Sequence, residues 1–274
     1  MSSIIQRCSS LTLSFSGAGH LLAYHLGAAI ALKQKEKHIK QQICAVSGSS
    51  SGAIAASAFV YFNDQQIEDY AERFIDDGGR AMFHFKQMLE EEECNNKPST
   101  QTQQILHIAT TRCSDGSLHL FDFHTDSTNT SRLVKCLEAS CKIPAHFHPA
   151  DVLQSKWASK YPEEDGIIID GSSFCDGGIS APAPPTPIDN EEGVCRIVVS
   201  PISGGNTKKN AIRISPRDES WKFPMDLKLR GGFAVHPSLQ NIQALQVSAG
   251  VGSPSILRKW YERGVKDVER VWGT

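Results

Sequence analysis

The sequence lacks the features that place a chain in several large functional classes. Its 28 Lys and Arg are balanced by 30 Asp and Glu among 274 residues, so the basic excess of a nucleic-acid binder is missing. The longest apolar stretch, residues 21–32, is shorter than the roughly 20 residues that a membrane-spanning helix needs. Residues 1–13 lack the basic and apolar segments of a secretory signal. We therefore expect no nucleic-acid partner, no membrane span and a cytoplasmic protein.

Signatures of metal sites and of disulfide frameworks are also scarce. The 8 cysteines include no C-x-x-C pair, and a chain of this length can fold without covalent cross-links, so we expect free thiols in a reducing compartment. His146-Phe147-His148 offers two histidines, but a zinc site needs two more convergent ligands, and no H-E-x-x-H motif is present. We expect neither a metal nor a cofactor.

What the sequence does contain is a strand, a glycine turn and a helix, twice in succession. Residues 11–16 (LTLSFS) alternate as in a strand, Gly17-Ala18-Gly19 ends them, and residues 20–35 have helical apolar spacing. Residues 43–47 (ICAVS) form a second apolar run, followed by Gly48 to Gly52 and a helical stretch at 53–62. This alternation predicts an α/β fold with a mostly parallel central sheet, whose ligands bind beyond the carboxyl ends of its strands.

Weaker patterns complete the prediction. Residues 90–104 are polar and contain a proline, which indicates a surface loop. The short β-branched runs at 167–169 and 197–199 are typical of strands buried on both faces. The remaining predicted elements are a hairpin of strands 105–111 and 118–123, and helices at 65–75, 131–141, about 236–247 and 255–271.

Gly48-Ser49-Ser50-Ser51-Gly52 matches the nucleophile-elbow pattern G-x-S-x-G. In that pattern a serine sits on a strained turn between a strand and a helix, and flanking glycines let the backbone pass closely. A serine-rich loop is the alternative, but a predicted strand enters this turn and a predicted helix leaves it. Ser50 is therefore the candidate nucleophile, and the helix N-terminus favours negative charge beside it.

Gly17-Ala18-Gly19 is the candidate oxyanion loop. An ester hydrolase needs backbone N–H groups that stabilise the tetrahedral intermediate, at roughly 2.7 to 4 kcal/mol per donor. G-x-G after a first strand also suggests dinucleotide binding. However, Leu22 stands where the third glycine of G-x-G-x-x-G belongs, and residues 37–42 offer no acid for a ribose, so we reject that reading.

Asp176-Gly177-Gly178 holds the strongest candidate for the base that serves Ser50. It follows Phe174-Cys175 at an expected strand end, and its apolar neighbours should raise the pKa of the Asp176 carboxyl toward a value useful for a base. Asp77-Gly78-Gly79 carries the same tripeptide but ends a predicted helix, where Asp and Gly are typical of a helix C-terminus. Asp170-Gly171 follows the 167–169 strand and stays as a second candidate.

These motifs, in this order, resemble the patatin-like phospholipase family, and within it the branch related to adipose triglyceride lipase. The resemblance rests on residues 14–27 (SFSGAGHLLAYHLG), on Gly48 to Gly52, and on Asp176-Gly177-Gly178-Ile179-Ser180. Fainter similarities are Cys113-Ser114-Asp115-Gly116, residues 139–144 (ASCKIP) and residues 199–204 (VSPISG). Together they extend from about residue 11 to at least residue 204.

The resemblance implies a three-layer α/β/α patatin-like fold and one catalytic domain over residues 11–274, after an N-terminal extension at 1–10. It implies a Ser50–Asp176 dyad without histidine, an oxyanion loop at Gly17 to Gly19, and metal-independent cleavage of fatty acyl esters of triacylglycerol or phospholipid. Because the implied substrate is a lipid, peripheral contact with a membrane or lipid droplet is a consequence to test. Two departures from the family are Leu22, where many members have a glycine, and Ala181-Pro182-Ala183-Pro184 after the Asp-Gly-Gly motif.

Two alternative functions stay open from the sequence. An α/β-hydrolase triad of Ser50, Asp176 and His236 has the required chain order, although that fold places several strands before its elbow and here there is room for two. A catalytically silent lipid-binding protein that keeps the fold would explain the changed residues after Gly178. His20, beside the oxyanion loop, is expected to face solvent or to cap a helix rather than to touch substrate.

Overall fold

The computed structural model describes residues 7–37, 42–94, 104–124, 129–154, 158–205, 211–217, 219–221, 223, 225–250 and 252–272. Its main sheet has the strand order β5-β6-β3-β2-β1-β7-β8, with β4 paired to β3. The neighbours β3, β2, β1, β7 and β8 run parallel, whereas β4, β5 and β6 pair in antiparallel fashion. The strands are β1 (Ser10–Phe15), β2 (Gln42–Ser49), β3 (Ile105–Arg112), β4 (Leu118–His124), β5 (Ile167–Ile169), β6 (Ser172–Asp176), β7 (Val194–Val199) and β8 (Ala211–Ile214).

Helices cover the sheet, which confirms the predicted three-layer α/β/α fold with a mostly parallel centre. The central strand β1 is buried on both faces. Leu11, Leu13 and Phe15 point to one face and Thr12 and Ser14 to the other, and all five are inaccessible to solvent. The helices are α1 (Leu22–Glu36), α2 (Ser51–Tyr61), α3 (Asp64–Asp76), α4 (Ala81–Cys94), α5 (Thr130–Ser140), the single turn α6 (Gly177–Ser180), α7 (Leu239–Ser248) and α8 (Pro254–Trp272). A small hairpin, β9 (Leu227–Leu229) with β10 (Phe233–Val235), lies outside the main sheet.

Helix α1 is buried around its whole circumference from Leu22 to Leu32, which fits an apolar helix between two layers. It packs backbone to backbone on α8, because a Cβ added at Gly27 would lie 2.0 Å from the Tyr261 carbonyl oxygen and one at Gly264 would lie 2.1 Å from that of Tyr24. Within the described residues, no helix is both long enough and apolar enough to cross a membrane.

Most predicted elements are confirmed, and three expectations were wrong. The 167–169 strand is not buried on both faces, because β5 lies at the sheet edge and leaves Ile168 60% exposed. The predicted loop at 90–104 begins inside α4, which continues to Cys94, while its residues 95–103 lie outside the described residues. The third concerns the cysteines.

Cys8 and Cys195 form a disulfide between the segment before β1 and strand β7. The expectation that every cysteine is a free thiol was therefore wrong for this pair, and the argument for a reducing compartment loses that support. Among the cysteines whose side chains the structure describes, Cys44, Cys113, Cys136, Cys141 and Cys175 are free thiols.

Candidate active site

Ser50 occupies a strained turn between β2 and α2. Its backbone has φ 52° and ψ −132°, a conformation that residues other than glycine adopt at a cost of about 1–3 kcal/mol. The two flanking glycines are required by close backbone contacts. A Cβ at Gly48 would lie 2.2 Å from the Gly52 carbonyl oxygen, and a Cβ at Gly52 would lie 2.4 Å from the carbonyl oxygens of Phe15 and Ser16. The turn thus has the geometry that the G-x-S-x-G pattern predicts.

Ser140, the last residue of α5, holds this turn from the other side. The Ser50 backbone N–H donates a hydrogen bond to the Ser140 hydroxyl (2.9 Å), and that hydroxyl donates to the Ala109 carbonyl on β3 (2.7 Å). Ser140 is completely buried, and its bond to Ala109 is shielded from water, whereas its bond from Ser50 is part-buried. The sequence analysis assigned Ser140 no role, and the ASCKIP similarity was the only signal that pointed to it.

The register of β3 brings Asp176 beside Ser50. Ser49, the residue before Ser50, pairs with Ala109, and Asp176 pairs with the next residue, Thr110. Strands β2 and β6 therefore end at consecutive positions of β3, although their final residues are more than 120 positions apart in the sequence. The Ser50 hydroxyl lies within hydrogen-bonding reach of the Asp176 carboxylate.

The surroundings of Asp176 suit a base. The carboxyl is buried, and this desolvation raises its pKa to about 6, against the opposing effect of hydrogen bonds from Ser50 and from the Gly178 N–H. The Gly178 N–H donates to Oδ1 at 2.7 Å, and the Thr111 hydroxyl donates to the Asp176 carbonyl at 2.7 Å. These contacts fix both the side chain and the backbone of Asp176.

Cys141 places a thiol next to the same pair. Burial raises the pKa of the Cys141 thiol strongly, the charge of Asp176 raises it further, and a hydrogen bond with Ser50 opposes the shift. The thiol therefore stays protonated and is a poor nucleophile, since the thiolate is the reactive form. Of the two side chains, Ser50 is the one that the geometry prepares for attack.

The predicted oxyanion loop lies against Ser50. A Cβ at Gly17 would be 3.4 Å from the Ser50 Cβ, and Gly17 and Ala18 line the cavity described below. The N–H of Gly17 donates to the Pro182 carbonyl (2.8 Å), and that of Ala18 donates to the Ser51 hydroxyl (3.1 Å). Gly19 (φ 52°) opens a 3-10 turn, where the first amides lack intrahelical acceptors. Two of the three predicted donors thus already bind protein oxygen atoms.

The Ala181 to Pro184 segment, which departs from the family pattern, braces this loop. The Pro182 carbonyl accepts from the Gly17 N–H and from the Ser49 hydroxyl (2.9 Å). The Pro184 carbonyl accepts from the hydroxyls of Ser14 (2.8 Å) and Ser47 (2.7 Å). A proline has no N–H to donate, but its carbonyl can still accept, and here it ties the segment to the carboxyl-terminal halves of β1 and β2.

A cavity of about 620 Å³ opens above Ser50 and Asp176. Its walls come from the end of the sheet that carries Ser50 and Asp176, from residues 143–153, from the β9–β10 hairpin and from α7, and they are mainly apolar. This volume and lining are typical of a site for a small apolar ligand. The apolar lining side chains are Ile143, Phe147, Pro149, Val152, Leu153, Ile179, Pro182, Ile202, Leu227, Leu229, Phe233, Val235, Pro237, Ile242 and Leu245.

The competing aspartates lie elsewhere. Asp77 caps the C-terminus of α3 and pairs with His84 (2.7 Å), as its Asp-Gly-Gly context predicts. Asp170 lies in the turn between β5 and β6, where its carboxylate pairs with Arg132 at 2.7 Å and is largely exposed.

The histidines singled out from the sequence have other partners. His236 lines the cavity, but its ring pairs with Asp226. The ring of His146 pairs with Asp165 (2.7 Å), and His148 caps the short helical turn that follows it. Across the described residues, no group of three or more His, Cys, Asp or Glu side chains could hold a metal ion.

Comparisons with known proteins show which family the chain belongs to. Residues 13–189 match the family model described as Patatin-like phospholipase. The chain is 26% identical over 223 residues to human patatin-like phospholipase domain-containing protein 4, which covers 76% of each protein. It is 24% identical over 260 residues to human patatin-like phospholipase domain-containing protein 2, and this alignment covers 93% of the chain but 47% of that relative. The chain therefore spans about half the length of that protein.

Two more distant similarities are of interest. Mouse 1-acylglycerol-3-phosphate O-acyltransferase Pnpla3 is 26% identical over 210 residues, which cover 70% of this chain and 44% of that protein. Among solved structures, VipD from Legionella pneumophila aligns over 96% of this chain and 67% of that chain, with a TM-score of 0.44 and 14% identity. Because the family model spans well over half of the sequence, this chain belongs to the patatin-like phospholipase family of lipid acyl hydrolases.

Proposed function

We propose that the chain hydrolyses fatty acyl esters of lipids through a Ser50–Asp176 dyad and an acyl-enzyme intermediate. The observation that carries this proposal is the pairing of β3 with both β2 and β6. Through this pairing Ser50, with its strained backbone, lies next to the buried Asp176 carboxyl, whose pKa is raised, and both line one mainly apolar cavity. Triacylglycerol and phospholipid are the proposed substrates, since both present ester carbonyls with long apolar chains.

In the first step Asp176 takes the proton of the Ser50 hydroxyl while the oxygen attacks the ester carbonyl. The tetrahedral intermediate collapses, the carbonyl re-forms, and the departing alkoxide takes the proton from Asp176. In the second step a water gives its proton to Asp176 and attacks the acyl-enzyme. The fatty acid leaves, and Ser50 regains its proton from Asp176.

The developing oxyanion needs N–H donors on the side of Gly17 to Gly19. We assign this role first to Gly19, at the start of its turn. The N–H groups of Gly17 and Ala18 now donate to Pro182 and Ser51. They can contribute to oxyanion binding only if each also donates to the oxyanion. The cavity would hold the acyl chain, because most of the side chains in its walls are apolar.

A lipid-binding protein without turnover is the second candidate, and the engaged amides of Gly17 and Ala18 favour it. A binding protein would use the same cavity as the proposed enzyme and would differ from it only in lacking hydrolysis at Ser50. A hydrolysis assay therefore separates the two.

The test compares wild type with Ser50→Ala and Asp176→Asn on triacylglycerol, phospholipid and lysophospholipid. Both variants should lose at least a hundredfold in kcat/KM on every substrate that wild type cleaves. Ser57→Ala is the matched serine control, because the Ser57 hydroxyl only donates to Ala53 within α2 (2.8 Å). Asp170→Asn is the matched aspartate control, and it also tests the second candidate base from the sequence.

Both controls should keep wild-type activity. Full activity of Ser50→Ala would refute the dyad. Loss of activity in Asp170→Asn with retention in Asp176→Asn would reassign the base. Wild-type protein without turnover on any of these lipids would favour the binding protein.

A further inference from the structure

The mouth of the cavity is surrounded by large apolar side chains that face solvent. Ten large hydrophobic side chains are exposed among the described residues; four of them line the cavity, and four more lie on α7 or on the segment just before β9. Monomeric proteins rarely leave such a group uncovered unless it serves binding. We call these eight the apolar rim: Ile143, Trp221, Phe223, Met225, Leu227, Leu239, Ile242 and Leu245.

Helix α7 supplies three members of the rim in a regular pattern. Leu239, Ile242 and Leu245, spaced three residues apart, are each more than half exposed. The intervening Asn241 and Ala244 point inward and are buried. The Asn241 side chain accepts from the Ser203 N–H (2.9 Å) and donates to the His236 carbonyl (2.7 Å). The orientation of the helix is therefore fixed, and its apolar outer stripe is held toward solvent.

The segment before β9 carries the other half of the rim. The rings of Trp221 and Phe223 contact each other with centroids 4.5 Å apart. The Phe223 N–H donates to the carbonyl of Pro237, a cavity-lining residue (3.0 Å). Met225 is 76% exposed and lies two residues before Leu227, which lines the cavity. The exposed rim is thus continuous with the apolar wall that leads to Ser50.

We propose that the apolar rim docks on the surface of a lipid layer and places the cavity mouth against it. A substrate with long acyl chains resides in a lipid phase, and the continuity of rim and cavity wall offers it an apolar path to Ser50 without passage through water. A protein partner seated on the same side chains would close the entrance. This inference rests on the proposed function for its choice of a lipid as substrate.

The test measures binding separately from catalysis. All proteins carry Ser50→Ala, so vesicles stay intact, and they are sedimented with sucrose-loaded vesicles of pure phosphatidylcholine. The rim variant combines Phe223→Ser, Met225→Ser and Leu239→Ser, three members that do not line the cavity. The control combines Phe83→Ser and Ile168→Ser, the two exposed apolar side chains away from the rim.

We expect the rim variant to partition at least tenfold more weakly than the parent, and the control to partition like the parent. Binding should persist in high salt, because the rim is uncharged. In proteins with Ser50 restored, the rim variant should keep turnover of a soluble short-chain ester and lose it on vesicles. If no protein hydrolyses any ester, the proposed function fails while the binding result still stands.

Three results would overturn the docking proposal. They are a parent protein that does not bind the vesicles, binding that high salt abolishes, and a rim variant that binds like the parent. If the triple variant does not fold, as judged by circular dichroism, Met225→Ser alone replaces it. Its expected weakening is at least threefold, and unchanged binding would count against the proposal.

Discussion

The pH dependence of hydrolysis is the most informative consequence of the buried carboxyl. Asp176 must be ionised to take the Ser50 proton, and burial raises its pKa to about 6. The acid limb of kcat/KM should therefore have its midpoint near pH 6, and activity should fall as the pH falls. At about pH 5 roughly one tenth of such a base is ionised, so kcat/KM should lie about tenfold below its plateau. An aspartate with the ordinary pKa of about 3.9 would lose less than a tenth.

The assay uses a soluble short-chain ester between about pH 4.5 and 8 at constant ionic strength. Enzyme held at about pH 5 and returned to about pH 8 must recover fully, which separates titration from denaturation. His236→Ala is measured in parallel, because His236 lines the cavity and is the third member of the alternative Ser50, Asp176 and His236 triad. We expect the limb to stay in that variant. A limb near pH 4, or one that disappears with His236, would refute the assignment of Asp176 as the base.

Three further outcomes follow from the same contacts. Asp176→Asn should gain stability relative to wild type as the pH rises from about 4 to above 6, because the carboxyl of the wild type ionises at a higher pH in the folded than in the unfolded chain. The gain should reach up to about 3 kcal/mol at about pH 8 and be absent at about pH 3, as measured by urea unfolding at both pH values. Ser140→Ala removes the acceptor of the part-buried Ser50 N–H, a hydrogen bond worth about 0.5–1.5 kcal/mol, so kcat should fall up to about tenfold with little change in KM, while thermal unfolding shows a folded protein. Gly52→Ala forces a Cβ within 2.4 Å of two carbonyl oxygens, so expression in soluble form or activity should be lost. The control Gly78→Ala meets nothing within 4 Å; its left-handed φ of 68° costs about 1–2 kcal/mol of stability, but it should leave activity intact.

Local patterns explain why the elbow and its strand could be predicted. The nucleophile turn depends on residues within a few positions of one another, and the apolar run, the two glycines and the following helix all lie in one short segment. The prediction of Asp176 at a strand end followed from the same kind of local evidence. Their pairing required the register of β3, which no local pattern contains.

Features that depend on distant contacts could not be predicted. The Cys8–Cys195 disulfide joins residues 187 positions apart, and cysteine spacing alone does not determine such a pair. Ser140 looks like any serine at a helix end, and only the fold brings its hydroxyl to the Ser50 amide. The exposed stripe of α7 carries the same apolar spacing as a buried one, so the sequence cannot tell which face meets solvent.

Trapping the acyl-enzyme tests the central claim most directly. Wild-type enzyme is mixed with a slowly hydrolysed fatty acyl ester, quenched in acid within the first turnover, digested and analysed by mass spectrometry. The account predicts one acyl group on the peptide that contains Ser50, with Ser50 as the modified residue, and a much slower appearance of this adduct in Asp176→Asn. An acyl group on Cys141 instead, or hydrolysis at the full rate without any adduct on Ser50, would contradict it.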